Sequence, residues 1–172
     1  MYRFHPDTRE FIARVRDPLH IETSFGFALS DAADIRFRGE LGGGALLDIG
    51  CYTVSVSRWV LGEPVEVEAT GQMRGGVDVT VAALMTFAGG ATASIWASFD
   101  SPEHQHLRVI TQTGVLERKR PFSAYRDPHD PYQLMVESFA DTVLLDRPVE
   151  IPLSESIANM RVLDRIRESF SS

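Results

Sequence analysis

Asp48 and Tyr52 have the residue types and the spacing of a proton-transfer site. They are four positions apart, so on an α-helix both side chains project from one stripe, one turn apart. A tyrosine phenol exchanges a proton with a substrate hydroxyl when a cation or a hydrogen bond favours the phenolate. The Asp48 carboxylate opposes that ionisation by its charge. Its expected roles are therefore to bind a substrate hydroxyl and to orient Tyr52.

The same spacing is typical of an ordinary amphipathic helix, with the tyrosine in the core and the aspartate in solvent. Spacing alone leaves both interpretations open. The chain contains a single lysine, Lys119, which lies in a charged cluster at a predicted strand end. We therefore expect the cation that a phenolate needs to be a lysine from outside this chain.

Three consecutive glycines, at positions 42–44, precede the pair. They match neither the G-x-G-x-x-G dinucleotide fingerprint nor the G-x-x-x-x-G-K-[ST] phosphate loop, and residues 35–40 before them do not form a buried strand pattern. We expect the glycines to let the helix start approach another backbone or a ligand closely. Gly44 is for this reason a candidate substrate contact. His104 and His106 lie two residues apart near a turn, but two histidines make an incomplete metal site, and we expect no metal.

The hydrophobic periodicity predicts an α+β fold. Strands that follow one another through short turns imply an open, mainly antiparallel sheet with helices on one face. Predicted helices cover residues 7–16, 42–59, 131–145 and the segment from Ser154 onward, with Asp7 and Ser154 as caps. Predicted strands cover residues 20–29, 65–73, 77–87, 91–99, 107–112 and 115–119, with a turn at 100–102 and loops at 30–40 and 121–130.

The predicted strands between residues 77 and 99 are apolar or small on both faces. Val81 and Met85 lie on one face of the first strand, and Ala82 and Leu84 lie on the other. Apolar surface on both sides requires cover. We expect the face without helices to be available for dimerisation, and the alternative is a sandwich covered by the chain's own loops.

The length, charge and cysteine content exclude several classes of function. The chain has 172 residues, which suits a single domain over 1–172, and its 17 basic and 24 acidic residues give a net charge of −7. This charge argues against nucleic acid or an anionic membrane as partners. One cysteine excludes an internal disulfide framework, no apolar run approaches about 18 residues, and the first residues do not form a secretory leader. We therefore expect a cytoplasmic location.

The run Gly-Gly-Gly-Ala-Leu-Leu-Asp-Ile-Gly-Cys-Tyr at residues 42–52, followed by Arg-Trp-Val-Leu-Gly at 58–62, resembles a segment of a known family. It is similar to the opening of the main helix in the C-terminal domain of the glucose–fructose oxidoreductase/inositol dehydrogenase (Gfo/Idh/MocA) family. Residues 1–6, 98–100, 113–117 and 158–164 resemble further segments of that domain. The resemblance therefore extends along nearly the whole chain.

This resemblance implies the second domain of an NAD(P)-dependent oxidoreductase. In the family, an N-terminal Rossmann domain binds NAD or NADP and supplies a lysine, and the C-terminal domain binds substrate and forms a homodimer through its open sheet. Asp48 and Tyr52 match the substrate-side acid/base pair. Many members have histidine at the position of Tyr52, and tyrosine resembles the glucose–fructose oxidoreductase, dihydrodiol dehydrogenase and xylose dehydrogenase branch. This implies a sugar or cyclic diol substrate.

Arg3 and His5 then lie beside the expected domain junction, where they are candidates for substrate binding or for a junction salt bridge. We expect this chain alone to bind no dinucleotide and to be inactive, since no residue of it matches the family's cofactor-binding motifs. Two other functions stay open. The chain is alternatively a stand-alone small-molecule binding module, or a structural dimerisation domain without catalysis.

Overall fold

The computed structural model describes residues 1–123 and 129–170. Residues 124–128 of the predicted loop at 121–130 therefore lie outside the described part. The helices are α1 (Pro6–Ala13), α2 (Cys51–Leu61), α3 (Pro131–Leu145) and α4 (Leu153–Phe170). The strands are β1 (Pro18–Ala28), β2 (Pro64–Arg74), β3 (Val77–Phe87), β4 (Thr92–Ser98), β5 (Asp100–Thr111) and β6 (Gly114–Lys119). None of the helices in this described part combines the length and the apolar character needed to cross a membrane.

The six strands form one open sheet in the order β2-β3-β4-β1-β5-β6. β1 and β4 are parallel, and every other neighbouring pair is antiparallel. The predicted α+β class with an open, mainly antiparallel sheet is therefore confirmed.

The predicted turn between β4 and β5 is wrong. β4 ends at Ser98 and β5 begins at Asp100, but β1 lies between them and pairs with both. The segment expected to turn, 100–102, is part of β5, where the register against β1 shifts between Gly26 and Ala28. Such an irregularity accommodates Pro102, which has no N–H to donate to a regular ladder.

The predicted first helix also differs at both ends. The residue that caps α1 is His5, whose Nδ1 accepts a hydrogen bond from the backbone N–H of Asp7 at 3.2 Å. Pro6 follows at the first helical position, which suits its fixed φ and its missing N–H. The helix ends at Ala13, and Asp17 adopts a positive φ of 47° before β1.

One face of the sheet is covered by α2 and α4. Val81 and Met85 of β3 point to this face and are fully buried with Val56 of α2 and Leu163 and Ile166 of α4. Burying a side chain of this size contributes about 1.5–3 kcal/mol. This layer is the hydrophobic core and holds the start of α2 against the sheet.

The opposite face of the sheet is open. Leu84 of β3 is 46% exposed there, and Trp96 of β4, which pairs with Ala82, is half-buried. The neighbouring strands β1 and β5 carry a polar pair, with Arg108 Nη1 lying 3.1 Å from Glu22 Oε2. The sheet in the described part is single, so the alternative of a self-covered sandwich is wrong.

Candidate functional site

Asp48 and Tyr52 lie at the start of the main helix, but they do not share one regular α-helix. Asp48 belongs to a π-helical segment, Leu46–Gly50, and α2 begins immediately after it at Cys51. A π-turn has i→i+5 hydrogen bonds, so it changes the angle between Asp48 and Tyr52 from that of the predicted single helix over 42–59. Such turns are frequent at functional sites.

Asp78 holds the start of this segment against the sheet. Its Oδ2 accepts the backbone N–H of Leu46 at 2.6 Å, and the side chain is buried. Gly44 has a φ of +115°, and a Cβ at this position would overlap the Asp78 carboxylate. A Cβ at Gly43 would overlap the backbone oxygen of Arg36. The expected close approach at these glycines is therefore to groups of this chain.

The carboxylate of Asp48 is paired with Arg36. Arg36 Nε lies 3.1 Å from Asp48 Oδ2, and the Asp48 side chain is 34% exposed. Asp34 positions Arg36, because its Oδ1 accepts the Arg36 backbone N–H at 2.9 Å and its Oδ2 lies 3.3 Å from Nη1. The guanidinium also lies 5.7 Å from the ring centroid of Phe27. Burial raises the pKa of Asp48, and Arg36 opposes that rise.

Tyr52 lies in an aromatic cluster. Its ring centroid is 5.7 Å from those of Tyr2 and Phe122 and 5.8 Å from that of Phe25. Burial raises the pKa of the phenol, and the nearby acidic groups of Cys51, Tyr132 and Asp48 act in the same direction. The phenol therefore stays protonated at neutral pH and is a proton donor, unless a cation is brought to it.

Arg3 and His5 have partners other than Asp48 and Tyr52. The Arg3 guanidinium lies 4.7 Å from the Trp59 ring centroid, and its Nη1 lies 3.5 Å from Glu155 Oε2. Arg3 also lines a cavity of about 250 Å³ with Ser55 and Asn159. His5 is 2% exposed and caps α1. Both have a structural role, and substrate binding by either residue stays a prediction.

The sequence did not predict the neighbours of the candidate pair, which are Arg36, Asp78 and the aromatic residues around Tyr52. Asp78 carried a signal, because an acidic residue between Val77 and Val79 interrupts an otherwise apolar strand pattern. The sequence contains no comparable signal for Arg36, because Arg36 reaches Asp48 only through the fold of the loop before the glycines.

The described residues offer neither a metal site nor a dinucleotide loop. Residues 1–123 and 129–170 hold no group of three His, Cys, Asp or Glu side chains arranged to bind a metal. His106 instead lies 2.7 Å from Glu117 Oε1 on the open face. A dinucleotide pyrophosphate needs free backbone N–H groups at a glycine loop. Here the backbone N–H groups of Gly43 and Gly44 donate to backbone oxygens, and Gly44 packs against Asp78, so the loop does not fit a dinucleotide.

An open sheet with helices on one face, and a carboxylate and a phenol at the start of its main helix, define an α+β domain with a candidate proton-transfer site. The sequence profile of the GFO/IDH/MocA C-terminal domain matches residues 14–117. The chain therefore belongs to the Gfo/Idh/MocA family, as the resemblance implied, and corresponds to the C-terminal domain of its oxidoreductases.

Two curated relatives cover nearly the whole chain. The chain is 36% identical over 195 residues to D-xylose 1-dehydrogenase (NADP(+)) 2 of Haloferax volcanii. This alignment covers 98% of this chain and 60% of the relative. It is 27% identical to the dTDP-3,4-didehydro-2,6-dideoxy-alpha-D-glucose 3-reductase of Actinomadura kijaniata, over 97% of this chain and 58% of the relative. The chain thus spans about three fifths of the length of these relatives.

Solved structures share the fold. The aldose-aldose oxidoreductase from Caulobacter crescentus, complexed with glycerol, superposes with a TM-score of 0.90 at 23% identity over 98% of this chain and 59% of that one. A 3-ketoreductase from Actinomadura kijaniata, in complex with NADP and TDP-benzene, superposes with a TM-score of 0.89 at 23% identity. The match covers 98% of this chain and 60% of that one.

Proposed function

We propose that this chain is the substrate-binding domain of an NAD(P)-dependent oxidoreductase that acts on a sugar or a cyclic diol. The observation that carries the proposal is the half-buried Tyr52 phenol in an aromatic cluster, next to an Asp48 carboxylate paired with Arg36. Binding sites for small molecules combine such apolar walls with a few positioned polar groups.

In this proposal Tyr52 exchanges a proton with the reacting substrate oxygen. Because burial raises the pKa of the phenol, Tyr52 Oη is set to donate a proton to a carbonyl oxygen that gains negative charge. In the oxidative direction the same atom accepts the hydroxyl proton, and this requires a nearby positive charge. Arg36 is paired with Asp48, so that charge must come from a second domain.

Asp48 has the role of binding a neighbouring substrate hydroxyl. An ionised carboxylate accepts hydrogen bonds from hydroxyls, and such charge-assisted bonds are stronger than neutral ones. Arg36 favours the ionised form against the effect of burial. The residues of this chain do not fit the dinucleotide, so hydride transfer in this proposal belongs to the cofactor-binding domain.

The family and the relatives support the substrate class. The Haloferax volcanii relative is a D-xylose dehydrogenase that uses NADP(+), and the other curated relative reduces a dTDP-linked sugar. The proposal also includes a Rossmann domain as the cofactor-binding partner and a homodimer formed through the open sheet face. Leu84 and Trp96 would lie at the centre of that interface.

Titration of the ¹⁵N-labelled chain with D-xylose, followed by NMR, tests substrate binding at this site. We expect chemical-shift changes around Phe25, Asp48 and Tyr52. Asp48→Asn should weaken binding about tenfold or more, because a hydrogen bond to a charged group contributes about 1.5–3 kcal/mol. Asp164→Asn, the same change at an exposed position of α4, is the control and should leave binding unchanged. Shifts confined to the cavity beside Arg3 would contradict the proposal.

Arg36→Gln tests the supporting contact. Removing the guanidinium should raise the pKa of Asp48 further, since Arg36 is the cation that counteracts its burial. The pKa can be followed by the ¹³C signal of the carboxyl group. Arg38→Gln, two residues further along the chain, is the matched control. Equal effects of the two variants would show that the Arg36–Asp48 pair has no special role.

A further inference from the structure

The direction of the Tyr52 phenol is set by packing around its ring. Within residues 1–123 and 129–170, no backbone or side-chain group is hydrogen-bonded to Tyr52 Oη. Three aromatic side chains, those of Tyr2, Phe25 and Phe122, surround the ring with centroids within 5.8 Å. A proton-transfer group must lie within hydrogen-bond reach of its substrate, and a displacement of about 1 Å costs about 10²-fold in rate. The residues that hold the ring therefore matter for the reaction.

Tyr2 differs from the other two neighbours because its hydroxyl is bound to the helix that carries Tyr52. Tyr2 Oη donates a hydrogen bond to Ser55 Oγ at 2.9 Å. Ser55 lies on α2, three residues after Tyr52, and residues with this spacing are neighbours on the helix surface. Tyr2 thus packs against the Tyr52 ring and is at the same time hydrogen-bonded to the next turn of the same helix. This arrangement links the ring to its own backbone.

We propose that Tyr2 is a positioning residue, which fixes the direction of the Tyr52 phenol through its hydrogen bond to Ser55. The proposal rests on the proposed function, because it assigns the residue that aims the proton-transfer group at the substrate. Tyr2 is only 4% exposed. It therefore acts through the ring of Tyr52.

The hydroxyl of Tyr2 is a permanent hydrogen-bond donor. Burial raises the pKa of Tyr2, and the hydrogen bond to Ser55 acts against that rise without cancelling it. The group therefore stays protonated at neutral pH. A buried hydroxyl that loses its acceptor bears the full cost of its desolvation. The Tyr2 side chain is for this reason held in the orientation that reaches Ser55.

The backbone that carries Tyr2 is fixed as well. Residues Tyr2–Phe4 form a helical turn, and the backbone N–H of His5 donates to the carbonyl oxygen of Tyr2 at 3.1 Å. The carbonyl oxygen of Arg3 accepts a hydrogen bond from Arg9 Nε at 2.8 Å. Because α1 begins directly after His5, this turn is anchored from the helix side. Tyr2 therefore has a firm base from which to hold a neighbouring ring.

The ring contacts of Tyr2 allow its hydroxyl to be tested separately from its packing. Its ring centroid lies 5.4 Å from that of Phe122 at 87°, and 6.5 Å from that of Trp59 at 70°. Edge-to-face contacts of this kind depend on the aromatic ring and do not need the hydroxyl. Tyr2→Phe thus keeps these contacts and removes only the hydrogen bond.

The ring motion of Tyr52 tests the proposal. The chain is labelled with ¹³C-tyrosine, the Tyr52 signal is assigned with Tyr52→Phe, and the rate of ring flips is measured by NMR. We expect Tyr2→Phe and Ser55→Ala each to raise this rate about three- to tenfold, the factor that corresponds to one ordinary hydrogen bond. The double variant should be about as fast as either single variant, because both remove the same bond.

Ser57→Ala is the matched control. It makes the same change at a buried serine of α2, whose hydroxyl donates to the Thr53 carbonyl oxygen at 2.8 Å, and it should leave the flip rate of Tyr52 unchanged. An unchanged rate in Tyr2→Phe, or an equal rise in Ser57→Ala, would make Tyr2 a packing residue and overturn the proposal. Ring motion is measured without sugar, so this outcome is independent of the D-xylose titration that tests the proposed function.

Kinetics of an enzyme assembled from this chain and a nucleotide-binding domain give a second readout. Tyr2→Phe should lower kcat about tenfold or more and leave KM nearly unchanged, because Asp48 still binds substrate while the phenol is misplaced. Ser57→Ala should change neither constant. A kcat equal to that of wild type, or an effect confined to KM, would contradict the positioning role of Tyr2.

Discussion

The carboxylate of Asp78, at the beginning of β3, accepts a hydrogen bond from the backbone N–H of Leu46 at 2.6 Å. The first N–H groups of a helix lack partners within the helix, and a carboxylate is well suited to satisfy them. The sheet thus fixes the start of the π-helical segment that carries Asp48. Gly44 makes this contact possible, because only a residue without Cβ leaves room for the carboxylate.

Gly44→Ala should destabilise the domain more than an ordinary glycine substitution. Gly44 has a positive φ, which costs an alanine about 1–2 kcal/mol, and the new Cβ would in addition overlap Asp78. Gly76→Ala is the matched control, because Gly76 also has a positive φ, of +88°, but has nothing within 4 Å. Urea unfolding of both variants measures the difference, and equal losses would show that the Asp78 contact is not tight.

Asp78 should make folding stability fall as pH rises through the acidic range. Burial raises the pKa of Asp78 in the folded state above its ordinary value of 3.8. The folded protein therefore binds the proton more tightly than the unfolded chain. The stabilisation is complete below that ordinary value and is lost as pH rises through the raised pKa.

The unfolding free energies of wild type and Asp78→Asn can be compared at a series of pH values. The stabilisation of wild type relative to the variant should decrease as pH rises. Glu63→Gln gives the opposite sign as a control. A hydrogen bond from Arg58 lowers the pKa of Glu63, so its stabilisation is lost as pH falls. The same trend for both variants would contradict the assignment.

Tyr52→Phe should lower kcat far more than it raises KM in an enzyme assembled from this chain and a nucleotide-binding domain. The ring packing against Tyr2, Phe25 and Phe122 is kept, but the proton-transfer group is lost, which typically costs about 10²–10⁴-fold in rate. Asp48→Asn should damage both constants, because it also weakens substrate binding. Activity of Tyr52→Phe within about twofold of wild type would make Tyr52 a packing residue.

The chain by itself should bind neither NADH nor NADPH. The backbone N–H groups at Gly43 and Gly44 donate to this chain's own carbonyl oxygens at 2.9 Å, and Asp78 places a carboxylate beside Gly44. Both features oppose a pyrophosphate. Calorimetric titration measures the binding, and a saturable micromolar affinity of the monomer would disprove the expectation.

Leu84→Glu should prevent self-association through the open sheet face. Leu84 is 46% exposed on β3, and a charge buried in an obligate interface of about 2,000 Å² or more would lack a partner. Sedimentation at low micromolar concentration should show a dimer for wild type and a monomer for the variant. Glu68→Gln on β2 keeps a polar side chain opposite Leu84 and is the control. A wild-type monomer would contradict the proposed dimer.

Residue order alone predicted much of the local structure. Alternation of apolar and polar side chains depends on which side of a strand each residue faces, and this local property located all six strands of the sheet. Pro131 at a first helical position and the last helix were predicted for the same kind of reason. The glycines and the Asp48–Tyr52 spacing indicated the site, and the motif at residues 42–52 identified the family.

Tertiary structure alone decided how these elements meet. β1 lies between β4 and β5 because long-range hydrogen bonds and shared burial select the neighbours of a strand. Neither effect can be recognised from a short stretch of sequence. The π-helical turn and the Arg36–Asp48 pair likewise depend on a loop folding back onto the helix start. The sequence predicted the helix at residues 131–145, but only the structure shows that its apolar residues Val136 and Phe139 are exposed. Periodicity locates a helix and does not show what covers each of its sides.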